Sequence, residues 1–440
     1  MYKKMKGTYD ILPSEIAKWQ KLEKVIRSVS KIYNYKEIRT PIFENSELFH
    51  RSVGETTDIV SKETYDFVDR GNRSNTLRPE GTAGVVRSFI ENKLYTSNIP
   101  VQKMFYIGPM FRYERPQKGR YRQFSQFGAE AFGSTSPQLD AEVIAYAVSI
   151  LKALKIADVK VHINSIGDAE SKAIYKDALL TYLAPEIENL CGDCQTRYKT
   201  NPLRILDCKI DGDGPILEAA PKPVDYLTES AKLHFEQTCE YLDAMGIKYV
   251  KDNSLVRGLD YYTHTVFEVK ANLDTLGSQN TICGGGRYNN LVKSLNGPDT
   301  PGVGFAFGLE RLMFALESVE FKGDPEYLHL YMMILGDEQK ADGLAMVNKC
   351  RLGGLFTDLD FLDKGMKGKW KQAANLKARF VAIYGANEKE QNVINIKDQE
   401  TGKEETIDKN KLYNYIMTAL MTPSSSCSSC SDSSCDDCEE

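Results

Sequence analysis

Between Val101 and Gly133 two runs of alternating side chains flank a turn, Arg115-Pro116-Gln117-Lys118-Gly119-Arg120. Side chains on a strand alternate between faces. In the second run Gln126, Gly128 and Glu130 therefore share one face, and Phe127, Ala129 and Ala131 share the other. The odd face is apolar and is expected to pack on a helix. The even face sets an amide and a carboxylate around a glycine, which leaves space for a ligand above the sheet. In the first run Arg112 and Glu114 share a face opposite Phe111 and Tyr113. If the even faces coincide, Arg112, Glu114, Gln126 and Glu130 line one polar platform. An exposed antiparallel sheet with one wet face has the same alternation. The turn favours a site, because Arg115, Lys118, Arg120 and Arg122 stand beside two facing acids, and arginine forks pair with phosphate oxygens.

Two further segments aim polar groups at an anion. In Pro301-Gly302-Val303-Gly304-Phe305-Ala306-Phe307-Gly308-Leu309-Glu310-Arg311 a glycine-rich strand feeds a helix. Arg311 stands in its first turn, where backbone N–H groups and the helix dipole favour negative charge; a local surface salt bridge is the alternative. Cys283-Gly284-Gly285-Gly286-Arg287-Tyr288 allows backbone to approach a bound group closely, although three glycines also suit a flexible turn.

The rest of the chain divides around these segments. Residues 14–35 carry helical spacing of Ile16, Trp19, Leu22, Val25, Ile26, Val29 and Ile32, and 137–155 read as a second amphipathic helix. From 168 to 242 the pattern turns helical and polar, and strand signals return at 265–270 and 302–307. A helical domain inserted into a largely β domain is expected. Residues 327–420 alternate strand and helix, with a basic helix at 365–378 and a hairpin around Thr401-Gly402, which implies a separate small α/β domain. After Met421 the chain is rich in Ser, Cys and Asp without large apolar side chains, and the tail 421–440 is expected to be disordered.

With 440 residues, several domains are expected. An apolar fraction of 42% and a charged fraction of 27% exclude a fibrous or disordered chain. No apolar run reaches the roughly 20 residues that span a bilayer, and no apolar stretch follows the basic N-terminus, so no signal peptide is read and a cytoplasmic protein is expected. The net charge of −5 is matched by five acids between Thr422 and Glu440. The body is thus neutral, and any RNA binding must use local basic patches. Cys191, Cys194 and Cys208 offer three thiols, one short of a four-cysteine zinc site, and neither His162 nor His234 has motif-like spacing. Plain thiols are expected there. The pairs Cys427/Cys430 and Cys435/Cys438 have ligand-like spacing but sit in low-complexity sequence, so an extension without a metal site is expected.

From Gly7-Thr8-Tyr9-Asp10-Ile11-Leu12-Pro13 to about residue 420 the chain resembles the histidyl-tRNA synthetases, a class II aminoacyl-tRNA synthetase family. Tyr35-Lys36-Glu37-Ile38-Arg39-Thr40-Pro41 is similar to the class's first motif, the hairpin to its second, and Gly304 to Arg311 to its third. Leu255-Val256-Arg257-Gly258-Leu259-Asp260-Tyr261-Tyr262 followed by Gly284-Gly285-Gly286-Arg287-Tyr288 singles out histidine. The resemblance implies an α+β fold: an antiparallel-sheet catalytic domain (1–167 and 243–322), the inserted mostly helical domain (168–242) and a C-terminal anticodon-binding domain (327–420). It implies ATP, L-histidine and tRNA(His) as substrates, Mg²⁺ with ATP, and a homodimer through the first motif.

Carried over by position, Glu80, Thr82 and Gln126 would hold the substrate α-ammonium, and Glu130 and Tyr262, with Tyr261 beside them, the imidazole. Arg112 and Arg257 would flank the reacting carboxylate and α-phosphate, Arg120 and Arg311 the outer phosphates, and Glu114 the adenine amino group. The chemistry requires such cations independently, since a carboxylate attacks a phosphate and both are anionic. Lys364, Lys367, Lys369, Lys371, Lys377 and Arg379 surround Trp370 in the C-terminal unit. A solvated helix face has the same composition. The resemblance implies tRNA contacts there, at Lys367, Lys369, Trp370 and Lys371, and at the acceptor end for Gln117. Two rivals remain: a non-catalytic synthetase-like regulatory subunit of ATP phosphoribosyltransferase, and a class II enzyme for another amino acid.

Overall fold

The computed structural model describes residues 2–54, 57, 59–206, 208, 210–212, 214–256, 259–271, 280–324, 327–362 and 364–422. Arg257 and the four cysteines of the C-terminal stretch lie outside the described residues. The chain forms two compact units, Met1–Gly323 and Asp324–Glu440.

The first unit holds β1 (Lys36–Glu37), β2 (Phe43–Asn45), β3 (Tyr65–Val68), β4 (Ser74–Leu77), β5 (Gln102–Phe111), β6 (Gln123–Phe132), β7 (Val159–Ser165), β8 (Tyr249–Lys251), β9 (Thr263–Ala271), β10 (Thr281–Arg287) and β11 (Gly302–Gly308). Eight of these make one sheet in the order β1-β5-β6-β11-β10-β9-β7-β8. Pairing is parallel only at its two edges, β1 on β5 and β7 on β8. The triple glycine lies inside β10, as strand rather than turn. The remaining three strands form a small sheet, β2-β4-β3, and α2 (Ser46–Val53) follows β2 directly.

Helical spacing explains what covers the main sheet. In α1 (Pro13–Ile32) the buried residues Trp19, Leu22, Ile26 and Val29 recur at three and four residues, and Pro13 occupies the first turn where a missing N–H costs nothing. In α4 (Pro137–Ala153) the Ser136 hydroxyl caps the Gln138 N–H at 3.3 Å. Both helices share one core with Phe127, Ala129 and Ala131, so the apolar face of β6 packs as its alternation requires. A buried ion pair ties β10 to α4: the Arg287 guanidinium donates to the Asp140 carboxylate and to the Ser134 and Ser136 carbonyls. The other face of the sheet carries α3 (Thr82–Glu91) and a second core that includes Val85, Phe89, Tyr106 and Tyr288.

Between β7 and β8 the chain runs through helices, among them α5 (Ala169–Leu183) and α6 (Gly192–Thr200). Tyr175, Leu179, Leu183, Leu190, Cys194, Ile205, Cys208, Leu217 and Ala220 make a small core there. The helix Glu229–Ala244 then returns, and Phe235, Cys239 and Leu242 join the main core.

The second unit is a five-stranded sheet of β12 (Leu328–Ile334), β13 (Thr357–Leu359), β14 (Ala378–Tyr384), β15 (Val393–Asp398) and β16 (Glu404–Asp408), in the order β13-β12-β14-β15-β16. Alternation along β12 buries Leu330, Met332 and Ile334 with Val347, Leu412 and Ile416, while Tyr331 and Met333 meet Ala373 on the opposite face.

Candidate active site

On the ligand face β6 runs between β5 and β11, with Tyr106 opposite Gly128, Gly304 opposite Glu130 and Ala306 opposite Gly128. On the far side of β11, Gly286 faces Gly304 and Gly284 faces Ala306. In two adjacent rungs, Gly128-Ala306-Gly284 and Glu130-Gly304-Gly286, the residues Ala306, Gly284 and Gly304 form the floor of a cavity, while Tyr106 covers Gly128 and Tyr262 covers Gly286. The glycines are held to that role. A Cβ on Gly304 would stand 1.9 Å from Glu130 Oε2, and one on Gly128 would stand 2.2 Å from the Tyr106 hydroxyl. The space above Gly128 thus belongs to Tyr106, which corrects the expectation that it is left for a ligand. Above the floor lies a cavity of about 260 Å³ lined by Glu80, Thr82, Arg112, Glu114, Arg120, Gln126, Glu130, Tyr261, Tyr262 and Arg311. The even faces of the hairpin therefore do coincide, although Arg112 and Glu114 lie past the end of β5.

One group of lining residues is built from carboxyls and hydroxyls. Glu80 accepts from the Thr82 and Ala83 N–H groups at 2.6 and 2.8 Å, which satisfies the first turn of α3. The Thr82 hydroxyl donates to Glu130 Oε1 at 2.8 Å, and the Tyr288 hydroxyl donates to Glu130 Oε2. Burial nonetheless pushes the Glu130 carboxyl up to about 8, and it raises Glu80 as well. The Tyr106 hydroxyl reaches Gln126 Oε1 at 3.4 Å. The Tyr261 ring lies tilted against Tyr262 and edge-on to Tyr288, with ring centroids 4.7 and 5.5 Å apart.

The other group is cationic. Arg112 donates to the Pro79 carbonyl at 2.8 Å and lies 3.7 Å from Glu114. Arg120 lies 3.5 Å from the same carboxylate. Arg311, from the helix Leu309–Ala315, donates to the Thr281 carbonyl at 2.9 Å. Burial, and then the neighbouring Arg120, hold its guanidinium below the ordinary arginine value. Of the four loop cations only Arg120 lines the cavity. Lys118 sits over the Phe314 ring and Arg122 over the Tyr113 ring, while Arg115 is exposed. Gln117 is exposed at the tip and pairs its backbone with Arg120.

Three residues of this neighbourhood escaped the sequence reading. Tyr106 follows from the same alternation carried back along the first strand. Tyr288 closes the Gly-Gly-Gly-Arg-Tyr segment but received no role. Lys172 of α5 is half-buried, its ammonium donating to the Tyr262 carbonyl. Burial lowers it to about 8, and no sequence signal marks it.

In the second unit the basic helix Met366–Asn375 does not present its lysines alike. Lys367 and Lys371 are exposed, and Trp370 is half-buried with Lys397 Nζ 5.8 Å above its ring. Lys369 is only 5% exposed. Its ammonium donates to the Ile334 carbonyl at 2.9 Å and lies 3.2 Å from Asp360. A lysine so enclosed holds its own domain together instead of facing an RNA.

The sequence has relatives throughout this architecture. A family description of histidyl-tRNA synthetase matches residues 7–312, and one of an anticodon binding domain matches 330–418. The chain is 48% identical over 414 residues to a histidine–tRNA ligase of Bacillus licheniformis, covering 94% of this chain and 98% of the relative. It is 50% identical over 401 residues to that of Bacillus subtilis, covering 91% and 94%. The solved structure of apo S. aureus histidyl-tRNA synthetase superposes with a TM-score of 0.80 at 42% identity, over 94% of this chain and all of that one. Among the described residues no helix is long and apolar enough to cross a membrane.

Proposed function

The chain belongs to the histidyl-tRNA synthetase family, and from that premise we propose which of its residues carry the reaction. It ligates L-histidine to tRNA(His) with ATP: the histidine carboxylate attacks the α-phosphorus, diphosphate leaves, and the tRNA 3′-hydroxyl then takes the histidyl group from the adenylate, releasing AMP. The observation that carries the assignment is the division of one cavity into a carboxyl-hydroxyl group (Glu80, Thr82, Gln126, Glu130) and a guanidinium group (Arg112, Arg120, Arg311) over a glycine floor.

In this reading Glu80, Thr82 and Gln126 bind the α-ammonium, and Glu130, Tyr261 and Tyr262 receive the imidazole. A site built from buried hydrogen-bonding groups rejects side chains that leave those groups unpaired. Arg112 and Arg257 flank the reacting carboxylate and α-phosphate, Arg120 and Arg311 hold the outer phosphates, and Glu114 takes the adenine amino group. No general base is needed for the first step, because the attacking carboxylate is already ionised. Oxygen donors beside Arg311 suit Mg²⁺, which prefers one or two carboxylates plus substrate phosphates. Glu114 lines the cavity there, and Glu268 accepts from the Thr281 hydroxyl at 2.9 Å. Bound with ATP, Mg²⁺ supplies counter-charge to the departing diphosphate.

We place tRNA contacts at Gln117, Lys367, Trp370 and Lys371, and leave Lys369 out for its burial. We also propose a homodimer, a cytoplasmic setting, and the division into catalytic (1–167, 243–322), inserted (168–242) and anticodon-binding (327–420) domains, with the one change that the helix Glu229–Ala244 packs in the main core and belongs with the catalytic domain. The regulatory-subunit reading is disfavoured by the relatives, which are ligases along nearly the whole chain. ATP–diphosphate exchange measured with each of the twenty amino acids tests the whole. Exchange with histidine alone is expected, and an Arg257→Gln variant should lose at least about 10²-fold in kcat. Exchange with another amino acid but not histidine, or with none, overturns the function. Full exchange in the variant overturns the role of Arg257.

A further inference from the structure

We propose that Cys191, Cys194, Cys208 and Asp211 form a closed, four-coordinate site for a structural zinc ion in the small helical core between β7 and β8. Cys191 and Cys194 come from the first turn of α6, where Cys191 is the N-cap. Cys208 and Asp211 come from a tight turn closed by the Gly212 N–H donating to the Cys208 carbonyl at 2.8 Å. That turn requires its glycine, since a Cβ on Gly212 would stand 2.3 Å from the Cys208 carbonyl oxygen. Three sulfurs and one carboxylate oxygen converge there, all within 4.8 Å of one another.

Two of these distances match a metal polyhedron and not a disulfide. Zinc bonds of about 2.3 Å to sulfur and about 2.1 Å to oxygen, arranged tetrahedrally, put sulfurs roughly 3.8 Å apart and sulfur roughly 3.6 Å from oxygen. Cys191 Sγ lies 3.7 Å from Cys208 Sγ, and Cys208 Sγ lies 3.6 Å from Asp211 Oδ2. A disulfide needs about 2.0 Å and would use two of the four groups. The surroundings favour anionic ligands. The Ile210 and Asp211 N–H groups point at Cys208 Sγ at 3.4 and 3.5 Å, and the Cys191 N–H donates to Asp211 Oδ2 at 3.1 Å. The N-terminus of α6 adds its dipole to the same spot. Thiolates select zinc over the magnesium that serves ATP.

The need for such an ion follows from size. Among the described residues the core at this point has nine buried side chains, two of them the ligands Cys194 and Cys208, with eight more only partly buried around them. A segment with so little apolar area gains from a metal staple, whose binding energy becomes folding energy. The cysteine spacing alone suggested an incomplete set. The fold supplies the fourth ligand as an aspartate.

The test uses the full chain with Cys427, Cys430, Cys435 and Cys438 replaced by serine, which removes the other paired thiols. After purification with zinc and without chelator, elemental analysis should find one zinc per chain. Cobalt substitution of the same protein should give the visible bands of tetrahedral Co²⁺ with thiolate charge transfer. Cys208→Ser should lower metal content at least about 10-fold. Asp211→Cys should keep the ion and strengthen the charge-transfer band, a result independent of whether the serine variant folds. Metal-free protein with no cobalt spectrum, zinc content unchanged by Cys208→Ser, or a Cys191–Cys208 disulfide found by mass spectrometry would each overturn the site.

Discussion

Glu130 is a carboxyl kept where its charge is costly, with two hydroxyls aimed at it and no cation among its bonded partners. Its folded value of about 8 stands above the ordinary 4.5. Between those two values the folded chain holds a proton that the unfolded chain has released. Stability from this group is therefore complete below about pH 4.5 and falls as pH rises towards about 8. Each unit of difference amounts to roughly 1.4 kcal/mol, so the loss reaches a few kcal/mol in order of magnitude. In Glu130→Gln that slope should disappear. Without ligands, Tm of the native protein should fall more steeply than that of the variant between about pH 5 and 8.5. Glu310, raised to about 7, and Glu80 also contribute to the native slope, so the difference between the two curves isolates Glu130. Parallel curves would show that Glu130 is ionised in the empty site. The same change should lower kcat/KM for histidine by about 10²-fold or more and leave the KM for ATP alone.

At the scale of strands, Gly128 shows how tightly the floor is assembled. A methyl group there would meet the Tyr106 oxygen at 2.2 Å and ring carbon Cζ at 2.3 Å. Gly128→Ala should destabilise the first unit by roughly 1–3 kcal/mol through overpacking. It should also raise the KM for histidine, because Tyr106 steadies Gln126. Tyr106→Phe should not rescue it, since the ring carbon remains; denaturant melts of the single and double variants decide this, and full recovery in the double would refute the packing account. The hairpin was legible because a period of two fixes which side chains share a face, whatever the fold around it. The glycines were legible as close approaches, but not what approaches them. The helix α3 escaped because it is buried all round from Thr82 to Val86, so its polar side begins only at Arg87 and is too short to show a period. Composition made the lysines of the helix Met366–Asn375 look equivalent, and only packing turns Lys369 inward to Asp360. Asp211 was invisible for a similar reason, as nothing local distinguishes one aspartate among many.

For the whole molecule, the apolar surface next to the Tyr35–Pro41 segment argues for a second copy of the chain. Ile42, Phe43, Phe67 and Val68 are 44, 50, 40 and 62% exposed. Phe43 and Phe67 pack together with ring centroids 5.9 Å apart, and both belong to the small sheet β2-β4-β3. Single exposed apolar residues are ordinary, but an exposed aromatic pair in contact on one short sheet, each ring with an exposed aliphatic neighbour in sequence, marks a contact surface. A self-complementary patch closes a two-fold dimer without leaving an open edge. The full chain should sediment as a dimer at micromolar concentration. Phe43→Asp with Phe67→Asp should give a monomer, since two carboxylates would be buried without partners on each side. The lone variant Phe67→Asp should weaken association and make the mass concentration-dependent. An active native monomer, or a double variant with unchanged mass, would show that this sheet meets water and that the dimer, if any, forms elsewhere. A monomeric double variant that keeps its melting profile but loses diphosphate exchange would show that pairing holds the catalytic cavity in shape, because none of the replaced side chains lines that cavity.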